Sequence, residues 1–434
     1  MDYVAGGSRP GQYRFRTGDQ TLVRQINLSV IMHHLREKAP ISRAGLAEIT
    51  GLNKTTVSSL VRELIDRQFV REVGFESPGS GRGAGRLAML LTLNPKAGYI
   101  VSIEIGVDFL MAVCTNFAPK AIWQSKENID PDMGQQVIFD RLLALLYQGI
   151  NIGSDYCQNL LGVAVGVPGL VDQTSGTLLF APNLRWENVP LRAQLQGVVE
   201  GPLVVDNEAN MAALGEHYFG AARGYNEVLY LSAGVGLGGG IVHSGQVFSG
   251  VTGFGSEFGH MTMDPEGEIC NCGNRGCWET QVSQRALFRY LRRGAGQGHP
   301  TILMEMTGGN LGALSVPMVV EAAQQDDRLA LEALEVLGHQ LGIGIASLVN
   351  ALNPELVVLG GILSLASDFL LPVVENEVQR RALRWNREAI KVVVASHGQE
   401  ACVMGGVARI FQAVLVEPNM VAEQHPGVLT MVYA

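Results

Sequence analysis

Three things are scarce in this 434-residue chain: long apolar runs, charge and cysteine. No 18-residue stretch lacks an interrupting Gly, Asn, Pro or charge, which argues against a helical membrane span, since crossing the hydrocarbon core takes about 20 apolar residues. The chain does not open with a charged n-region followed by an apolar h-region, so no secretory leader is expected and the cytosol is the expected compartment. Charged residues make up only 17% and apolar residues 47%, enough to bury a core in more than one soluble, globular domain. Six cysteines occur in all, and three of them fall within eight positions of the stretch 269–279, "ICNCGNRGCWE". Thiols stay reduced in the cytosol, so such a cluster points to metal in preference to a disulfide. Packing as small apolar side chains would not call for the glycines beside them.

The net charge of −9 is unevenly spread. Residues 1–93 carry 13 Lys and Arg against 8 Asp and Glu, while the rest carries 19 against 33. A basic module on an acidic body suggests that only the module faces a polyanion.

Residues 1–18 have no apolar period and are expected as a flexible arm. Residues 19–95 read as a winged helix-turn-helix. Leu22, Ile26, Val30, Ile31 and Leu35 are expected to form one apolar helix face, which Pro40 closes. Ser42 can cap a short helix bearing Leu46 and Ile49, Gly51 supplies the turn, and Asn53 can cap a second helix with Val57, Leu60, Val61 and Leu64 inward. That leaves Lys54, Thr55, Thr56, Ser58, Ser59 and Arg62 outward, with Asn53 and Arg43 beside them. Short polar and basic groups of this kind suit base edges and phosphates, although a protein-docking face would look similar. The following segment reads as a two-stranded wing whose tip carries Arg82 and Arg86, either tracking DNA or forming a surface hairpin.

From residue 96 to 434 apolar runs alternate with helical stretches, an α/β pattern. Strand-rich openings near 99 and 227 suggest two similar halves with a cleft between them. His260, Cys270, Cys272 and Cys277 give H-x9-C-x-C-x4-C, a complete tetrahedral set for zinc with no position left for water.

The stretch "GVTGFGSEFGHMTMDPEGEICNCGNRGCWE", with "LSAGVGLGGGIV", "DNEAN" and "APNLRW" upstream, resembles the ROK family of bacterial sugar kinases and sugar-responsive repressors. With "GLNKTTVSS" in the basic module, the likeness is to the xylose-repressor type and covers nearly the whole chain. It implies a two-lobed actin/hexokinase-like (RNase H-like) body, one structural Zn2+, and a homodimer or homotetramer that reads palindromic double-stranded operator DNA. It also implies a monosaccharide inducer, xylose or glucose-like, held by Asn183, Asn207, Glu208, Glu257, His260 and Glu279. Carboxylates accept from adjacent hydroxyls while amides donate and accept, so these groups suit a polyol. Glu208 could instead serve the helix start, and Trp186 could wall the pocket or belong to the core.

The kinases of the family carry Asp where this chain has Glu208, and Asp-x-Gly-Gly-Thr where it has "EIGVD". Here Glu104, Val107 and Asp108 replace residues of the phosphate loop. A longer acid at the base position and negative side chains near phosphate argue against catalysis, so neither enzyme activity nor ATP is expected. "AGVGLGGG" (233–240) reads as a structural hairpin or a vestigial nucleotide contact. The expected function is a sugar-released repressor of a carbohydrate operon, the alternative an ATP-dependent sugar kinase with an added DNA-binding module.

Overall fold

A computed structural model describes residues 20–75, 88–199 and 201–416. The chain divides into two compact units after Asn94, and a short stretch from Ala413 groups with the first.

In the first unit, helices α1 (Gln20–Lys38), α2 (Arg43–Thr50) and α3 (Lys54–Asp66) accompany a sheet of β1 (Ile41–Ser42), β2 (Val70–Phe75) and β3 (Met89–Leu93), in the order β1-β3-β2. The caps follow from side-chain chemistry. Ser42 Oγ accepts the Gly45 N–H at 3.2 Å, and Asn53 Oδ1 accepts the Thr56 N–H at 2.7 Å. Gly51, at φ 70°, ends α2 in the left-handed conformation glycine tolerates. Val57, Leu60, Val61 and Leu64 are all buried.

The first helix corrects the sequence reading. Its buried stripe is Leu28, Ile31, Met32 and Leu35, whereas Leu22 and Ile26 are 40% and 54% exposed and Val30 is half-buried. At about 100° per residue, Leu22, Ile26 and Val30 fall on the far side of the helix from that stripe. Ile49 is also exposed, because α2 buries Leu46 and Ala47 instead.

The second unit holds two lobes. The first contains β4 (Tyr99–Ile105), β5 (Phe109–Asn116), β6 (Ala121–Asn128), α4 (Gln135–Tyr156), β7 (Leu160–Val167), a small sheet of β8 (Leu170–Asp172), β9 (Thr177–Ala181) and β10 (Trp186–Val189), then α5 (Leu191–Gln196), β11 (Leu203–Asn207) and α6 (Glu208–Phe219). The second contains β12 (Glu227–Ala233), β13 (Leu237–His243), β14 (Gln246–Val247), α7 (Glu279–Val282), α8 (Gln284–Gly296), α9 (Leu303–Met306), α10 (Val316–Gln324), α11 (Arg328–Leu352), β15 (Leu356–Gly360), α12 (Ser367–Arg381), α13 (Arg384–Ala389), β16 (Lys391–Val394) and α14 (Ala401–Val416).

The large sheets are ordered β11-β7-β4-β5-β6 and β14-β13-β12-β15-β16. Each is an antiparallel meander of three strands extended by two parallel ones, one strand order used twice. The repeat makes this the two-lobed actin/hexokinase-like fold, and its halves open at Tyr99 and Glu227. The seven residues of β4 are all buried, as a strand covered on both faces requires.

Two helices cross between the halves. Helix α6 follows the last strand of the first lobe yet packs on β13 and β12 of the second. Helix α14 follows the last strand of the second lobe, and its Gly406 packs against Ser102 and Ala164 of the first. Where the two helices meet, a Cβ on Gly215 would stand 2.5 Å from the Ala401 carbonyl oxygen and 2.7 Å from Gly405 N. Only glycine admits that approach.

By length and composition α11 and the stretch Gly398–Val416 could cross a membrane, but 61% and 78% of their apolar windows are buried inside the protein, as in core helices.

Candidate functional site

One cleft of about 260 Å³ between the lobes gathers the predicted sugar residues. Asn183 comes from the turn between β9 and β10. Asn207 ends β11, and Glu208 opens α6. Glu257 precedes and His260 ends a short 3-10 turn, Phe258–His260, after β14, and Glu279 opens α7. The hairpin of β12 and β13 supplies a wall rich in glycine, with Gly234, Gly236, Gly238 and Gly239 among its lining residues. A Cβ at Gly236 would come within 2.5 Å of Glu279 Oε2 and 3.0 Å of Asn183 Nδ2, and one at Gly238 within 3.2 Å of Glu208 Oε1. The glycines at 236 and 238 therefore leave room for polar groups to reach the cleft. The "AGVGLGGG" segment forms a tight turn, closed by Gly234 N–H to the Gly236 carbonyl at 2.9 Å.

The predicted residues differ in how free they are. Asn207 is largely committed: its Oδ1 accepts from Ala209 and Asn210 N–H at 2.8 and 3.1 Å, and its amide donates to the Gly169 carbonyl at 3.0 Å. Asn207, and not Glu208, thus caps α6. Glu208 Oε2 is buried without a hydrogen-bond partner among the described residues, as is Glu104 Oε2 on β4. Trp186 is 4% exposed and belongs to the first-lobe core, away from the cleft.

Burial dominates the electrostatics. It pushes the Glu104 carboxyl up to about 8 against the opposing pull of a Cys402 hydrogen bond and the Lys126 charge. It raises Glu208 well above the usual range, with Glu104 adding to the effect, and Glu257 to about 7, helped by Glu279. Burial thus favours the neutral form of Glu104, while Val107 and Asp108 line the same cleft. Lys126 reaches across the mouth of the cleft to Gln399, and its ammonium sits 4.6 Å from the centre of the Phe109 ring.

His260, Cys270, Cys272 and Cys277 bring one ligand atom each within 4.8 Å of the others. Cys270 Sγ lies 3.7 Å from His260 Nδ1, and Cys272 Sγ lies 3.7 Å from Cys277 Sγ. A zinc tetrahedron with bonds of about 2.3 Å has sulfur-to-sulfur edges of about 3.8 Å, so the four residues fit a single ion. With Nδ1 turned to the thiols, Nε2 is the ring nitrogen left for the cleft. Backbone geometry enforces the loop: Gly273 and Gly276 sit at φ 92° and 65°. Trp278, fully buried, donates its indole N–H to the Gln340 carbonyl at 3.1 Å and fixes the loop to α11. The next residue, Glu279, accepts from the Cys270 thiol at 2.8 Å and from Leu237 N–H at 3.3 Å.

Sequence reasoning missed two residues here. Asn271 Nδ2 donates to Asn183 Oδ1 at 2.9 Å, and Arg285 Nη1 donates to the same oxygen at 3.0 Å. Asn271 fills an unspecified position of the Cys motif and Arg285 lies outside it, and the contacts span 88 and 102 residues.

In the first unit Asn53, Lys54, Thr55, Ser59 and Arg62 are exposed, and Thr56 and Ser58 half-buried, on one side of α3. Lys54 and Arg62 have no ion-pair partner among the described residues. Arg43, by contrast, pairs with Glu72 of β2 at 2.9 Å, which offsets its charge. Arg82 and Arg86 lie outside the described residues.

Known proteins agree with this geometry. The profile of the ROK family matches residues 100–413. A xylose repressor of Caldicellulosiruptor bescii is 33% identical over 402 residues, 93% of this chain and 99% of that protein. The crystal structure of a ROK family transcriptional regulator, a homologue of the E. coli MLC protein, superposes with a TM-score of 0.77 at 27% identity, covering 93% of this chain and all of that one. A ROK family glucokinase from Streptomyces griseus, in complex with glucose and AMPPNP, gives 0.65 at 30% identity over 71% of this chain and 98% of its own. The repeated strand order, the His and Cys cluster beside the cleft and these likenesses lead to one conclusion: the chain belongs to the ROK family.

Proposed function

We propose that the protein is a sugar-responsive DNA-binding repressor, with xylose or a closely similar monosaccharide as inducer. One observation carries the reading. The cleft gathers groups suited to hydroxyls (Asn183, Glu208, Glu257, His260 and Glu279) beside the His and Cys cluster, and it is also lined by Glu104, Val107 and Asp108, which the sequence resemblance sets against the phosphate loop of the family's kinases. Asn207 joins the set through its remaining amide hydrogen. The likeness to a xylose repressor over almost the full length supports the same assignment.

In this reading a structural Zn2+ held by His260, Cys270, Cys272 and Cys277 fixes one wall of the pocket, and α3 of each subunit in a homodimer or homotetramer reads one operator half-site. Lys54, Thr55, Thr56, Ser58, Ser59 and Arg62 meet the DNA, joined by Asn53, Arg43 and the wing arginines Arg82 and Arg86. The protein works in the cytoplasm and needs no ATP. Sugar binding and DNA binding oppose each other, by an equal factor in each direction and typically by about 1–3 kcal/mol.

The test selects bound fragments from the source genome and titrates one of them, fluorescently labelled, with and without xylose and glucose. Weaker DNA binding with one sugar is expected. If no monosaccharide changes the DNA affinity, the inducer role is wrong. Sugar-dependent release of ADP, abolished by Glu208→Ala, would favour the kinase instead.

A further inference from the structure

The turn that carries Asn183 belongs to the first lobe, whereas the metal loop and α8 belong to the second. Asn271 stands between two of the clustered cysteines, and Arg285 is on the first turn of α8. Both donate to one atom, Asn183 Oδ1. The chemistry fixes which atom it is. A guanidinium carries five donors and no acceptor, so the side of the Asn183 amide that faces Arg285 must be its oxygen. The amide nitrogen is thereby turned to the cleft, beside Gly236, where any side chain would crowd it.

An amide held in this way offers hydrogen-bond donors alone to a ligand, and it is held only while the lobes are together. We infer that Asn271 and Arg285 are positioning residues that clasp Asn183 across the cleft and complete the ligand pocket upon lobe closure. The inference rests on the sugar-binding reading above. It adds that the hydroxyl at Asn183 is bound through its oxygen, as an acceptor, and that the metal loop takes part in closure through Asn271 as well as through His260. A charged donor to a neutral acceptor is among the stronger hydrogen bonds, and Arg285 is exposed, so its loss leaves no buried group without a partner on α8.

The experiment uses the full chain and five variants: Arg285→Ala, Asn271→Ala, Asn183→Ala, and Asn183→Ala combined with each of the other two. Affinities for xylose and glucose are measured by calorimetry, and backbone hydrogen exchange is followed without sugar in peptides covering 182–186 and 270–276. Bound zinc and the melting temperature are checked for each variant. Arg285→Ala is expected to weaken sugar binding about tenfold in the Asn183 background and to change it little in the Asn183→Ala background. Asn271→Ala should behave in the same way. Both should speed exchange in the two peptides while zinc content holds. Additive losses in the cycle, or unchanged affinity and exchange in Arg285→Ala, would overturn the clasp. If the wild-type chain binds neither sugar, the reading of the cleft fails, and the exchange data alone decide whether the lobes are clasped: faster exchange supports it and unchanged exchange refutes it.

Discussion

Replacing Glu104 by Gln should flatten the dependence of stability on pH. The carboxyl is 7% exposed, one of its oxygens has no partner, and burial raises its pKa from 4.5 to about 8. An acid with a raised pKa binds its proton more tightly in the folded state. Its favourable contribution is complete below about 4.5 and is lost as pH rises through 8. A tenfold gain in proton affinity is worth about 1.36 kcal/mol, so full ionisation costs roughly 5 kcal/mol as an upper figure, reduced by whatever relaxation admits water. Gln keeps the shape and cannot ionise. Melting curves from pH 5 to pH 9 should therefore show the variant close to the wild type at pH 5 and more stable at pH 9. At about 2–4 °C per kcal/mol for chains of 150–250 residues, the gap amounts to several degrees. A slope should persist in the variant, because Glu208 and Glu257 are raised in the same direction. Parallel curves for the two proteins would refute the neutral state of Glu104.

Three further outcomes are expected. Gly215→Ala presses a methyl group onto the backbone of α14, which no rotamer change relieves, and should lower stability by about 1–3 kcal/mol; Gly296→Ala, with open space around it, should be neutral or stabilising, and equal melting temperatures would deny the tight crossing. Chelation that strips metal from His260 and the three cysteines should lower both the melting temperature and the sugar affinity; if both persist after metal analysis confirms removal, the four residues do not organise the pocket. Arg62→Ala should weaken DNA binding and reduce the slope of log affinity against log salt by about 0.9 while sugar affinity stays the same, and an unchanged slope takes Arg62 out of the interface.

What the sequence made legible was chemistry confined to short segments. Ser42 and Asn53 could be named as caps because a cap involves only the next three residues, and the metal cluster because its spacing survives any fold. The two halves were visible as recurring apolar runs. Contacts set by tertiary packing were not legible. Nothing local tells that Leu22 and Ile26 miss the helix stripe that packs, that Arg43 meets Glu72, or that Trp186 turns into the core. Asn207 shows a finer limit. Its motif marks it for sugar, while its position at a helix start spends most of its hydrogen bonds on the backbone. The protonation of Glu104 was hidden for the same reason, since it depends on burial beneath α14, some 300 residues away.

The exchange of α6 and α14 between the lobes bears on how this body can be cut. A fragment ending before Ala401 would leave the first-lobe sheet bare on the side that Gly406 covers, and a fragment beginning after Phe219 would strip β12 and β13 of the helix lying on them. Neither half carries its own lid. Excised lobes should thus aggregate or stay unfolded, while co-expressed halves, each supplying the missing cover, should reassemble.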